Sequence, residues 1–534
     1  MRKIGKSYRS TISVIFCFCL ALSLAAWAAT SGFVVTTPTI LSAANLREVA
    51  ITDPVVLQNS GIDFSFARTI GQILTTANVP AGNTAANREA IVQTMIDSFA
   101  ATSAINPASK IAVPLTSRPG EAAMVPADLL DPLNPDGMRP VGVFNRLDLA
   151  PADWSNCGEY RIVYAKGNPV SLTNRFMIIF EAVVDNPLPG IPMGCMQIAQ
   201  FWQSFGTLPN PPRHILAELL ESFFYYGIQG TNGPVISFKN LGNPFGQVRG
   251  NLFVNNPDGL WDLREWLVQM APLIIKFAMH PVRNTPMTTL YGTSQPTDAN
   301  AVMALRTAFQ KDFLNIFSKQ LTSIDMTGRT APVKDTALYF GLGDSIPMKY
   351  DGFESISNQD HDDPVRTSNQ NFQFTTNLQN SLNAQGLPWS LTSTEVIGRA
   401  ATQGCGGCHN FTPPSDIAPG SKGGVVPWPN SGPFTHINEN GALSQLLVQR
   451  FLPARFTNFN NYITNTFANP LAGSAPAPAT AMIQAATVVR NAVFEVRHSA
   501  TPQQQINAAA NGIDQVRENE RNQAGAFTPF RPAD

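Results

Sequence analysis

Val141-Gly142-Val143-Phe144-Asn145-Arg146-Leu147, then Tyr160-Arg161-Ile162-Val163-Tyr164, then the run from Phe176 to Val184, decide the fold class of this chain. Each is short, rich in β-formers and bounded by Gly, Asn or Pro, which is the pattern of a strand rather than of a helix. Further runs at Val235–Lys239, Gln247–Val254, Leu260–Leu267 and Leu273–Ala278 continue the pattern. Such spacing predicts a mainly antiparallel sheet. Helices are expected to interrupt it at about 195–206 and 212–226. A longer one is expected over about 298–320, where Met303, Leu305, Phe309, Phe313, Ile316 and Phe317 are apolar.

Working outward, residues 61–102 read as helical from Ile70, Ile73, Leu74, Ile91, Met95 and Ile96. Residues 103–140, rich in Pro and Gly, read as an extended connection, and 29–60 as a partly ordered leader. The chain has 534 residues, 44% of them hydrophobic and 33 of them Phe, ample for a large core. Only 14% are charged, and the formal net charge of −1 argues against a nucleic-acid surface.

The first residues have the form of a secretory signal peptide. Arg2, Lys3, Lys6 and Arg9 make a basic start, Ile12 to Ala26 is apolar, and Ala26-Trp27-Ala28 has small residues where cleavage needs them. Phe16 before Cys17 argues against a lipoprotein site. Cleavage after residue 28 removes four basic residues and no acids, taking the charge from −1 to −5. No later stretch has the length of a membrane span. The mature protein is therefore expected to be periplasmic or secreted, with no stable membrane span after signal cleavage. Four cysteines would remain, Cys157, Cys195, Cys405 and Cys408. In an oxidising compartment each needs a partner, and four allow three disulfide connectivities.

Cys405-Gly406-Gly407-Cys408-His409 is the motif that carries chemistry. C-x-x-C-H is the attachment signature of c-type haem. Two thiols three positions apart reach the two vinyl groups of one porphyrin, and the adjacent imidazole points at the iron. Upstream, Thr392 and Glu395 form a capping box that starts a helix at about Ser393, with Val396, Ile397, Ala400 and Ala401 as its apolar stripe. This part of the chain, roughly 385–500, resembles the c-type cytochromes. The resemblance implies one covalent haem c, with Cys405 and Cys408 as the thioether pair and His409 as proximal iron ligand. It departs from the family pattern downstream, where no Met-Pro loop is evident. A short redox disulfide would need a βαβ setting, and a zinc knuckle would need further ligands nearby; neither surrounds the motif.

For the sixth ligand the first candidate is His436, and Met482 is the alternative. The stretch from Asn410 to Pro433 contains six Pro and four Gly, so it should loop rather than form a helix, and could pass the haem edge. Phe434 and Ile437 flank His436, and Leu443, Leu446 and Leu447 open the next helix. Met348 and His498 are further options.

With Cys405 and Cys408 on haem, Cys157 and Cys195 are left to form one disulfide. The dense polar segment from Asn145 to Arg161 reads as a structural turn held by that disulfide and by ion pairs within it. The competing reading is a ligand site where Arg146, Asp148, Glu159 and Arg161 converge. Asp360-His361-Asp362-Asp363 offers oxygen ligands but not the glycine or spacing of a calcium loop. No nucleophile elbow, P-loop or dinucleotide fingerprint occurs.

The expectation is an α+β protein, a mainly antiparallel sheet region with helices followed by a helical, cytochrome c-like haem-binding region. Its parts would be a signal peptide (1–28), a leader and helical region (29–140), a mixed sheet and helix region of unknown role (141–385), and the haem-binding region (386–534). Its function would be single-electron transfer with a redox partner protein outside the cytoplasm. The alternatives are a haem enzyme such as a peroxidase, and a haem-free secreted binding or structural protein with two disulfides.

Overall fold

The computed structural model describes residues 40–468 except 60, 79–81, 152, 168–173, 209, 229, 232, 243–245, 255–260, 272–273, 297, 319–320, 322–345, 357–363, 387–391, 402–435 and 446. Its centre is an antiparallel sheet of β1 (Ala50–Ile51), β4 (Met138–Arg146), β5 (Asn156–Lys166), β6 (Asn174–Asp185), β7 (Gln247–Val254), β8 (Asp262–Ala271) and β10 (Ser355–Ile356), in that spatial order. A further strand, β9 (Ile274–His280), also pairs with β8. A separate hairpin joins β2 (Ser103–Ile105) to β3 (Ala112–Pro114). The chain is thus α+β, with a meander from β4 to β8 as its spine.

Both faces of the sheet are covered, and the strand sequences show why. Along β5, Tyr160, Ile162 and Tyr164 alternate with Arg161, Val163 and Ala165, so each face receives its own set. Tyr160, Ile162 and Tyr164 belong to a first core. Four helices supply its other half: α1 (Phe66–Thr76), α2 (Ala85–Asp97), α3 (Met196–Thr207) and α4 (Arg213–Glu221). Ser65 and Thr84 start α1 and α2 by accepting the amides of Arg68 and Asn87, the ordinary N-cap device. Within this core Thr69 Oγ lies 2.7 Å from the hydroxyls of both Tyr164 and Tyr225, so these buried polar tips satisfy one another.

Val163, Ala165 and Met177 face a second core built with α5 (Asn300–Asp312), α6 (Pro364–Asn369), α7 (Phe372–Ala384) and α8 (Ser393–Ala401). The last described helix, α9 (Leu452–Ala468), serves both. Leu452 belongs to the second core, while Phe459, Tyr462 and Ile463 belong to the first.

Cys157 at the start of β5 is bonded to Cys195 just before α3, with Cα atoms 5.4 Å apart. The Tyr462 hydroxyl reaches over this corner to donate to the Pro192 carbonyl at 2.6 Å, and its ring lies 5.0 Å from that of Trp154. Among the described residues no helix is long and apolar enough to cross a membrane.

Several expectations are corrected. Val235–Lys239 is not a strand. Ile236 donates to the Phe224 carbonyl, and Phe238 donates to Thr76 Oγ1. Its apolar character comes from burial of Val235 and Ile236 in the first core, not from strand pairing. The connection 103–140 holds the β2–β3 hairpin and two short helices, Pro119–Ala122 and Pro126–Leu130. The segment expected as a leader contributes β1, whose Ala50 and Ile51 pair with Phe144 and Val143. The helix expected over about 298–320, by contrast, is present, as α5 continued by a π-helical turn, Phe313–Phe317.

Candidate functional site

The helix that precedes the Cys405–His409 motif starts as its residues predict. Glu395 accepts from the Thr392 amide at 2.8 Å, and Thr392 Oγ1 accepts from the Glu395 amide at 3.2 Å, closing the capping box. Val396, Ile397, Ala400 and Ala401 are all buried in the second core. The described part of this helix ends at Ala401, four positions before Cys405. Cys405, Cys408 and His409, together with Met482, His498 and the Asp360-His361-Asp362-Asp363 stretch, lie outside the described residues. Met348 sits on an exposed turn.

His436 is described, and it stands on an anchored hairpin. Ile437 bridges to Leu443, and the Ser444 amide donates to the His436 carbonyl at 2.7 Å. Ile437 seats directly over β4 at Gly142, where a Cβ would stand 2.9 Å from both Ile437 Cδ1 and the Phe144 ring, so a side chain there would have to displace them. At the turn, Glu439 accepts a two-pronged ion pair from Arg175 of β6, one prong at 3.0 Å. The Arg175 guanidinium in turn lies 4.6 Å over the Trp261 ring. The His436 imidazole is half-buried, 6.2 Å from the Phe451 ring. Ala401, Ile437 and Phe451 belong to one apolar cluster, so the end of α8 and the wall beside His436 share a core.

The polar segment 145–161 is a structural corner. Arg146 pairs with Asp148 at 2.8 Å, and Arg161 with Glu159 at 2.6 Å. Gly158 allows the corner: its φ is +77°, and a Cβ there would meet the Arg146 carbonyl at 2.4 Å. Arg146 also stands opposite Glu159 in the β4–β5 register.

From this corner an alternating row of charges runs across the second face of the sheet. Arg161 reaches Glu181 of β6 at 3.0 Å. Arg249 of β7 lies 3.4 Å from Glu181 and 2.7 Å from Glu265 of β8. Glu265 then accepts the Arg283 amide at 3.2 Å and faces His280 across the β8–β9 ladder. Beyond it Asp351 is buried, and its carboxyl draws on the amides of Asn284 and Thr285. Burial pushes Glu159 up, but the charges of Arg161, Arg146 and Arg249 outweigh it and hold the carboxyl below its ordinary value. For Glu265 burial wins over Arg249 and Arg283, and its pKa is raised. Burial lowers that of His280.

Arg146, Asp148, Glu159 and Arg161 are the part of this row visible in the sequence. Glu181, Arg249, Glu265 and Asp351 were missed. The first three interrupt apolar strand runs, and that interruption was the available signal. Among the described residues no group of three or more His, Cys, Asp or Glu is disposed to hold a metal ion. Comparison of the chain with family models, with curated proteins and with solved structures finds no match.

Proposed function

We propose that the chain is an exported monohaem c-type cytochrome, carrying single electrons at one covalently attached haem c to or from a redox partner outside the cytoplasm. The observation that carries this reading is the Cys405-Gly406-Gly407-Cys408-His409 motif following a capped, buried helix. The disulfide adds to it. With Cys157 bonded to Cys195, Cys405 and Cys408 are the only cysteines left after residue 28.

In this reading Cys405 and Cys408 form the thioethers and His409 is the proximal ligand. The bound group supplies a one-electron couple, and the protein sets its potential through the axial ligand, burial and hydrogen bonding. His436 is the proposed distal ligand, with Met482 as the alternative. Phe451 and Ile437 give His436 an apolar wall, and the Glu439–Arg175 pair fixes the hairpin that presents it.

The test is the absorption spectrum of protein matured in a host competent for haem attachment. Wild type should show a six-coordinate, low-spin ferric spectrum. His436→Ala should shift it towards high spin and admit carbon monoxide or cyanide, whereas an unchanged spectrum removes His436 and turns the test to Met482. A wild type already high-spin and open to such ligands would favour a haem enzyme instead.

A further inference from the structure

We propose that Lys166 and Asn174 become joined by an intramolecular isopeptide bond between adjacent strands, with Asp136 carrying the proton.

Three strand ends meet at this place. Lys166 closes β5, Asn174 opens β6, and Asp136 stands two positions before β4. Strand alternation puts Lys166 on the face of Tyr160, Ile162 and Tyr164, and Asn174 on that of Phe176, Ile178 and Phe180. Both sets belong to the first core, so the two polar side chains sit at the rim of one apolar face. Lys166 is 5% exposed. Its Nζ donates to Asn174 Oδ1 at 2.7 Å and to Asp136 Oδ1 at 2.6 Å. Asn174 Nδ2 donates to the same Asp136 oxygen at 3.1 Å. A single carboxylate oxygen thus touches both the amine and the amide nitrogen.

The backbone holds this triangle together. The Gly167 amide donates to the Gly137 carbonyl at 3.1 Å, and the Asp136 amide donates to Asn134 Oδ1 at 2.9 Å. A Cβ at Gly167 would stand 1.7 Å from the Pro135 carbonyl oxygen, so the loop bearing Asp136 presses on the chain just after Lys166.

The parts are those of a transamidation. A lysine amine is a nucleophile once it has lost its proton, and Asn174 Cγ lies one bond beyond the oxygen that Lys166 touches. Asp136 takes a proton from the Lys166 ammonium, and the free amine attacks Cγ to form the Nζ–Cγ bond. Asp136 passes that proton to Nδ2, and the Cγ–Nδ2 bond breaks. The second proton shed by the amine leaves with the ammonia as ammonium. Asp136 ends ionised as it began, and nothing is oxidised or reduced. The hydrogen bond from Lys166 holds the Asp136 carboxyl below its ordinary range, so the first transfer is uphill and the reaction slow. The bond has to form only once per molecule. The Asp136 side chain is 48% exposed, which gives the ammonium a way out. The product fastens one end of β5, whose other end is already fastened by the Cys157–Cys195 disulfide.

Mass spectrometry of the full chain, as purified and after days of incubation, reads the bond. Wild type should lose one ammonia. Trypsin should then leave a single peptide from Ile162 to Arg175, uncut at Lys166 and giving no backbone fragments between Lys166 and Asn174. Lys166→Arg keeps a cation beside Asp136 but has no such amine; it should retain the full mass and be cut at position 166. Asp136→Asn should form the bond about a hundredfold more slowly. The wild-type measurement stands even where a variant fails to fold. Wild type cut after Lys166 at full mass in both samples would overturn the proposal. So would an ammonia loss that persists in Lys166→Arg, which places it in a succinimide, or a rate that Asp136→Asn leaves unchanged.

Discussion

Removing the Arg175–Glu439 pair should release the hairpin that carries His436. The two side chains are 11% and 8% exposed, and the pair has two contacts. Exposed pairs contribute about 0.2–1 kcal/mol, while breaking a fully buried one costs about 3–5 kcal/mol. The Trp261 ring under the guanidinium adds about 0.5–1 kcal/mol. Arg175→Ala should therefore cost about 2–4 kcal/mol. In a double-mutant cycle with Glu439→Gln, urea unfolding should give a coupling energy of about 1–2 kcal/mol. Hydrogen exchange at the Ser444 amide, bonded to the His436 carbonyl, should accelerate in both single variants. The exposed pair of Arg213 and Asp53, 62% and 36% accessible, is the control, and Arg213→Ala should cost under about 1 kcal/mol. A coupling energy near zero, with Ser444 protection unchanged, would refute the reasoning that this pair holds the hairpin.

Two further outcomes follow from the same structure. Replacing Cys157 and Cys195 by Ala opens a crosslink spanning 38 positions, which the chain-entropy relation places at about 4 kcal/mol; guanidinium unfolding of the double variant should show that loss, and an unchanged midpoint would contradict it. Burial raises Glu48 from 4.5 to about 7, its carboxyl lying against Gly206 of α3. The folded state thus holds a proton that the unfolded chain gives up more easily, so this contribution to stability is present at low pH and is lost as pH rises towards 7. Glu48→Gln should gain on wild type between about pH 5 and 7 in thermal melts, and a constant offset across that window would count against it.

The spine of the fold was legible because its strands are buried on both faces and read as apolar runs. Gln247–Val254 matches β7 at both ends. The capping box at Thr392 placed the start of α8 because an N-cap is local chemistry between residues three apart. What failed was non-local. Val235 and Ile236 are apolar for burial, and Pro234 before them has no amide to give a ladder. β1 and β10 have two residues each, too short for a periodic signal. The charge row was half visible, because Arg146, Asp148, Glu159 and Arg161 are close in sequence. Glu181, Arg249 and Glu265 join them only through the register of β5 to β8, which no single strand encodes. Asp351 arrives from a loop some 70 positions beyond Arg283.

The central claim concerns covalent chemistry at one stretch of five residues, and peptide mass measurement reads it most directly. Mature protein exported by a host competent for haem attachment should yield a peptide containing Cys405 to His409 heavier by one haem, with the added mass lost in the Cys405→Ser, Cys408→Ser double variant. A correctly exported wild type whose peptide has the bare chain mass, with Cys405 and Cys408 joined to each other or free, would contradict the account.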